Sequence, residues 1–135
     1  METLTTQIEE ELIFKEEVYQ IIGAAMNVHK ELGPGFLEAV YQEALEIEFT
    51  IKKISYTSQP KIQIFYRNRK LKKYYGPAFL AYDTIVIEIK AMKTLSAIEE
   101  AQILNSTKCC KKDLGLLINF GETSLKWKRY ITKNN

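Results

Sequence analysis

Two charged side chains stand two residues apart in an otherwise apolar run, Ile85-Val86-Ile87-Glu88-Ile89-Lys90. Alternate residues of a strand share a face, so Glu88 and Lys90 point the same way. The run is apolar on both of its faces, which predicts a central strand. A carboxylate and an amine on such a strand are costly to desolvate unless they pair or bind something. The carboxylate suits a divalent metal ion, and the lysine suits a metal-bound water or charge building on a phosphate. The plainer alternative is an exposed strand end with a solvated ion pair, because Glu-x-Lys alone is a common sequence.

Four further features carry chemical potential. Glu38 lies on a predicted helix between Leu45 and Phe49 on the wheel, bordering the apolar side, where it either reaches a site beneath the helix or extends to water. Gln102 shares a helix face with Ile98, Asn105 and Cys109, and its amide can hold a phosphate, another side chain or a backbone group. From 61 to 73 the chain places Lys61, Arg67, Arg69, Lys70, Lys72 and Lys73 with no acid between them, and Phe65, Tyr66, Tyr74 and Tyr75 add ring faces. Cations beside aromatic rings suit a nucleic-acid backbone and its bases; lysines also guard exposed strand edges. His29 is the single histidine, with no Ser-His-Asp or Cys-His pattern around it, and is expected to pack or cap near a helix end. Cys109 and Cys110 are adjacent, too few for a four-ligand zinc site and poorly placed to bridge, so they read as packing residues in a reducing, cytoplasmic setting.

These residues need elements to hold them. Apolar spacing through Val18, Ile21, Ile22, Ala25, Met26 and Val28 predicts a helix from Glu9 to Leu32. Gly33-Pro34-Gly35 ends it. A second helix is predicted from Phe36 to Lys52, with Leu37, Val40, Tyr41, Ala44, Ile47 and Ile51 as its buried side. Lys61–Tyr66 and Lys70–Tyr75 predict a hairpin turning at Arg67-Asn68-Arg69. Phe79–Tyr82 and Ile85–Lys90 predict a second pair, turning at Asp83-Thr84. Ser96-Ala97-Ile98-Glu99 has capping-box spacing and opens a helix to Lys108. Strands at Leu114–Phe120 and Leu125–Ile131 complete an α/β (α+β) domain, a mixed sheet covered by helices.

At 135 residues, 46% hydrophobic and 27% charged, the chain can build one core and has no span of the length a membrane helix needs. Met1 to Ile13 is acidic and does not resemble a secretion signal; it reads as an N-terminal extension to a single domain over 14–135. Charge is split along the chain. Residues 1–50 carry eleven acids and two bases, while 51–135 carry seventeen bases and six acids. One surface suited to a polyanion fits this division, as does mutual neutralisation of the two halves in the fold.

The segment from Ile21 to Tyr41, IIGAAMNVHKELGPGFLEAVY, closely resembles the signature of the GxxExxY family, with the naming residues at Gly35, Glu38 and Tyr41. Val86-Ile87-Glu88-Ile89-Lys90-Ala91, Glu100-Ala101-Gln102-Ile103-Leu104-Asn105 and Gly115-Leu116-Leu117-Ile118-Asn119-Phe120-Gly121 extend the resemblance over nearly all of the chain after residue 14. It implies membership of the PD-(D/E)XK nuclease superfamily, with a restriction-endonuclease-like sheet flanked by helices. It also implies Mg²⁺ or Mn²⁺ as cofactor, DNA as partner, and a catalytic set of Glu38, an aspartate after proline, Glu88, Lys90 and Gln102. Glu88 and Glu38 would be the metal ligands, and Arg67, Arg69, Lys70, Lys72 and Lys73 the nucleic-acid contacts. Two positions depart from the pattern. The expected Pro-Asp is Pro77-Ala78, and a methyl group cannot ligate Mg²⁺. Ser106 stands where the family commonly has tyrosine. Asp83 does not compensate, since it is expected in the turn at the far end of the strand pair. The alanine reads either as natural loss or as an engineered knockout, and the change at Ser106 favours the former. The resemblance therefore implies a nuclease-fold protein that is weak or inactive in cleavage, or a non-catalytic module that binds nucleic acid or protein through Lys61–Lys73. Self-association stays open.

Overall fold

Gly33 and Gly35, at φ of 69° and 110°, occupy backbone conformations that side chains resist, and they reverse the chain between its first two helices. The computed structural model describes residues 13–132. Helix α1 spans Lys15–Leu32 and α2 spans Glu38–Ile51. The helix expected from Glu9 thus starts at Lys15, behind a turn at 13–14; positions 9–12, and nearly all of the proposed N-terminal extension, lie outside the described residues. The α1–α2 reversal is pinned by Tyr41, whose hydroxyl donates to the Gly33 carbonyl at 2.6 Å and accepts from the Phe36 N–H at 3.2 Å.

The strands follow as β1 (Tyr56–Ser58), β2 (Ile62–Tyr66), β3 (Arg69–Tyr75), β4 (Phe79–Ala81) and β5 (Ile85–Lys90). Helix α3 (Ala97–Cys109), β6 (Leu114–Asn119) and β7 (Lys126–Ile131) complete the chain. Five strands form one sheet in the order β1-β4-β5-β6-β7, and β2-β3 form a separate two-stranded sheet. Only β5 and β6 run parallel; the other neighbours are antiparallel. A parallel pair needs a crossover, and α3 supplies it. As expected from its apolar faces, β5 is central, and every residue except Lys90 is buried.

The sheet is covered on both faces. Ile85, Ile87 and Ile89 of β5 join Leu114, Leu116 and Ile118 of β6 in a core with α1 and α2. On the opposite face Val86 and Leu117 pack with Ile103 of α3. By strand alternation Glu88 and Lys90 share the face of Val86, beneath α3. The Ser96 side chain accepts from the backbone of α3 while Glu99 accepts from the Ser96 N–H at 2.8 Å, the capping box that the spacing predicts.

Three expectations need correction. The buried side of α2 is Tyr41, Leu45 and Phe49; of the predicted side Tyr41 is shared and Ala44 is half-buried against the core, whereas Leu37, Val40, Ile47 and Ile51 face outward. Both sides of α2 are apolar, and the one with two aromatic rings won, since it buries more area. Phe49 meets Phe79 edge-on at 5.0 Å, and Tyr41 stacks on Phe120 at 4.7 Å. Met26, expected in the stripe of α1, is exposed, as is Cys109. Strand β1 was not expected, being only three residues long. The hairpin turn falls at Arg67 and Asn68, both at positive φ (50° and 63°), which suits a two-residue hairpin connection.

Gly115 sets how closely α3 approaches the sheet. A Cβ there would come within 2.3 Å of the Thr107 hydroxyl oxygen and 3.0 Å of Ile103. Gly115→Ala is therefore expected to push α3 outward and lower stability by about 1–3 kcal/mol, read as a lower melting temperature with an unchanged far-UV spectrum.

Candidate functional site

Glu88 enters the interior on β5 and meets two hydroxyl groups. Tyr75, the last residue of β3, donates to its Oε1 at 2.6 Å, and Ser106 of α3 donates to the same oxygen at 3.1 Å. The single Ser106 proton is shared between that oxygen and the Tyr75 hydroxyl oxygen, toward which Ser106 also donates. Burial raises the Glu88 carboxyl above its usual 4.5; the hydroxyls of Tyr75 and Ser106 and the charge of Lys90 pull it back, and the Glu38 charge pushes it up. The Tyr75 phenol is raised well above its ordinary value, first by its own burial and then by its bond to Glu88. It stays a donor through the physiological range.

The other sequence-derived residues surround this centre unevenly. Lys90, half-buried on the same strand face, acts electrostatically on Glu88. Glu38 is the first residue of α2, in the layer on the opposite face of the sheet; it is exposed, yet its charge reaches Glu88. Gln102 is exposed on α3, one turn before Ser106 and at the margin of the buried face. Asp83 is exposed in the β4–β5 turn, beside Lys112 at 3.9 Å and at the far end of β5 from Glu88. The β4–β5 ladder ends at the Phe79–Ile87 pair, so Ala78 lies just beyond it, near Glu88 along the strands but outside the paired register. The Ala78 methyl packs against the core on the α1–α2 side, and its carbonyl accepts from the Gln59 N–H at 2.9 Å and the Gln42 amide at 3.0 Å.

Several residues gained roles that sequence reasoning had not assigned. Tyr75 had been grouped with the ring faces of the hairpin; instead its hydroxyl closes on Glu88. Ser106, noted as a departure that weakens the site, supplies the second donor. Its spacing of four from Gln102 was the available signal. Asn119 is fully buried at the end of β6 and bonds both backbone groups of Met92, at 3.0 and 2.9 Å, fixing the chain just after Lys90. His29 is buried near the end of α1 with Nε2 2.8 Å from the Glu122 carbonyl, a packed histidine as expected. Burial and the neighbouring Cys109 push the Cys110 thiol up to about 11, so it is a poor nucleophile.

The family model described as PD-(D/E)XK nuclease superfamily matches residues 15–130. The chain belongs to the PD-(D/E)XK nuclease superfamily. Its five-stranded mixed sheet flanked by helices is the restriction-endonuclease-like fold of that superfamily. Comparison with curated proteins and with solved structures finds no significant match.

PD-(D/E)XK nucleases usually use Mg²⁺, an ion that requires hard oxygen donors in near-octahedral array. The donor set here does not fit it. Position 78 offers a methyl group, and Oε1 of Glu88 already accepts two hydroxyl bonds. Among the described residues no group of three or more His, Cys, Asp or Glu side chains is placed to share a metal ion. Hydroxyl donors thus satisfy the carboxylate in this member of the PD-(D/E)XK superfamily.

A carboxyl group raised in the folded state favours folding when protonated, and that contribution is lost as pH climbs through its folded value. Glu88→Gln keeps an acceptor for the two hydroxyls and carries no buried charge. It is expected to melt no lower than the parent near neutral pH and to lose the decline in stability above 4.5 that Glu88 causes, measured as melting temperature against pH. Tyr75→Phe removes a bond that favours the carboxylate, so the Glu88 titration should move further upward in a carbon-detected NMR titration.

Proposed function

We propose that this chain is a nuclease-fold protein that binds DNA through the β2–β3 hairpin and cleaves it weakly or not at all. The observation that carries the reading is the hairpin itself. Lys61, Arg67, Arg69, Lys70, Lys72 and Lys73 are all exposed, and the rings of Phe65, Tyr66 and Tyr74 are exposed among them. Lys61 lies over the Tyr74 ring at 5.0 Å and Arg67 over the Tyr66 ring at 5.7 Å, so cations and π faces are presented side by side. Such a surface meets phosphates with its cations and bases with its rings. The hairpin shares no ladder with the main sheet, which leaves its length clear to contact a strand.

Within the superfamily, Gly35, Glu38 and Tyr41 support assignment to the GxxExxY family. The free thiols of Cys109 and Cys110 suit the reducing cytoplasm, and no described helix is long and apolar enough to cross a membrane. The remaining cleavage capacity rests on Glu88, Lys90, Glu38 and Gln102. The place of residue 78, next to the Phe79–Ile87 pair and so near Glu88 along the strands, together with the aspartate that the family resemblance expects there, supports a second reading, in which a carboxylate at position 78 would complete a metal site.

Two experiments test these readings. Binding of labelled duplex and single-stranded DNA should weaken steeply with salt, the logarithmic slope growing by about 0.9 for each phosphate neutralised on duplex DNA. It should need no added metal. Charge reversal at Lys70, Lys72 and Lys73 should weaken binding by about tenfold or more, while Glu88→Ala leaves it intact; binding indifferent to the hairpin charges would end the proposal. In a plasmid assay with Mg²⁺ or Mn²⁺ the parent should cut little or nothing and Ala78→Asp should cut more. If the aspartate form neither cuts nor binds metal, the second reading fails while the first stands.

A further inference from the structure

Helix α2 has two apolar sides, and the sheet covers one. On the other, Leu37, Val40, Ala44, Ile47 and Ile51 follow each other at steps of three, four, three and four residues. Leu37 is 80% exposed, Val40 37%, Ile47 57% and Ile51 66%, while Ala44 between them is half-buried against the core, so the stripe is open on either side of a small residue. Alternating steps of three and four are the spacing by which one helix lies along another, each side chain entering a gap between four on its neighbour. Isolated exposed apolar residues are ordinary, but a row of them on one helix is not.

The walls beside the stripe say what kind of helix fits. Ile47 separates two grooves of about 470 and 210 Å³. The first is bordered by Glu43 and Glu46, the second by Glu31 and Glu48, and no lysine or arginine lines either. We propose that this face docks an amphipathic helix of another protein whose apolar ridge runs between lysines or arginines. A second α2 laid on the first would oppose carboxylate to carboxylate, which disfavours pairing of two copies through this face. DNA would meet the same four acids and is repelled for the same reason. The surface belongs to an element other than the hairpin, so this inference and the proposed DNA binding stand or fall separately.

The test uses the full chain and three synthetic labelled peptides followed by fluorescence anisotropy. One is a helical peptide with leucines at alternating steps of three and four and lysines on both flanks; the second carries glutamates in place of the lysines; the third scrambles the first. The lysine peptide alone should bind, and on the isotope-labelled parent its NMR shift changes should map to the outer side of α2. Ile47→Gln/Ile51→Gln should weaken it by about tenfold, and Glu43→Gln/Glu46→Gln/Glu48→Gln should weaken it and flatten its salt dependence. Glu43, Ile47 and Ile51 are exposed, and the half-buried Glu48, which accepts from the Asn27 amide at 3.4 Å, keeps an acceptor as glutamine, so the variants should melt with the parent; if one does not, the shift map on the parent decides. No binding of the lysine peptide, equal binding of the scramble, shifts away from α2, or affinity unchanged in the isoleucine variant would each overturn the proposal. So would sedimentation showing a parent dimer that Ile47→Gln/Ile51→Gln splits, which would assign the face to a second copy.

Discussion

The organisation of the molecule turns on one carboxyl group taken out of water. Glu88 sits on the central strand, where an unmatched charge is costly, and its cost is offset by hydroxyl donors from two other parts of the chain. Those donors tie three elements together: β5 carries the acid, α3 brings Ser106, and the end of β3 brings Tyr75. For Ser106 to reach, α3 must lie close on the sheet, and the bare backbone at Gly115 permits it. A single polar requirement thus sets the height of a helix and the anchor point of a hairpin.

The proposed function places recognition and the Glu88 centre on different parts of the fold. Position 78 is alanine with its methyl toward the α1–α2 core, and two hydroxyls already bond Oε1 of Glu88. In the proposed function, recognition would not depend on that centre, because the cations sit out on the hairpin. Charge along the chain follows this division. The acidic residues described between 15 and 51 belong to the α1–α2 layer, and the basic part supplies the hairpin and the Lys126–Ile131 edge strand.

Much of the fold was legible in the residues because local signals agreed with the final packing. The capping box at Ser96 and Glu99, the Gly-Pro-Gly reversal and the apolar run from Ile85 to Ile89 each have one good structural solution. α2 was misread because its two apolar sides are nearly equal in hydrophobicity, and periodicity alone cannot choose between them. The choice was made by the aromatic rings of Phe79 and Phe120 waiting on the sheet, which are distant in sequence. The site was half legible for a related reason. Glu88 and Lys90 announce themselves as charges in an apolar strand, whereas Tyr75 and Ser106 are ordinary surface residue types whose meaning comes only from a contact across 31 positions of chain.

The hairpin holds its own ladder of hydrogen bonds apart from the five-stranded sheet. Opening it exposes few buried apolar groups, since nearly all of its side chains already face solvent, so it belongs to the part of the molecule that can fray without disturbing the core. Its amide protons will trade with deuterium long before those of β5 and β6. The surface proposed to meet a nucleic-acid strand is accordingly the pliable one, while the sheet behind it keeps its form.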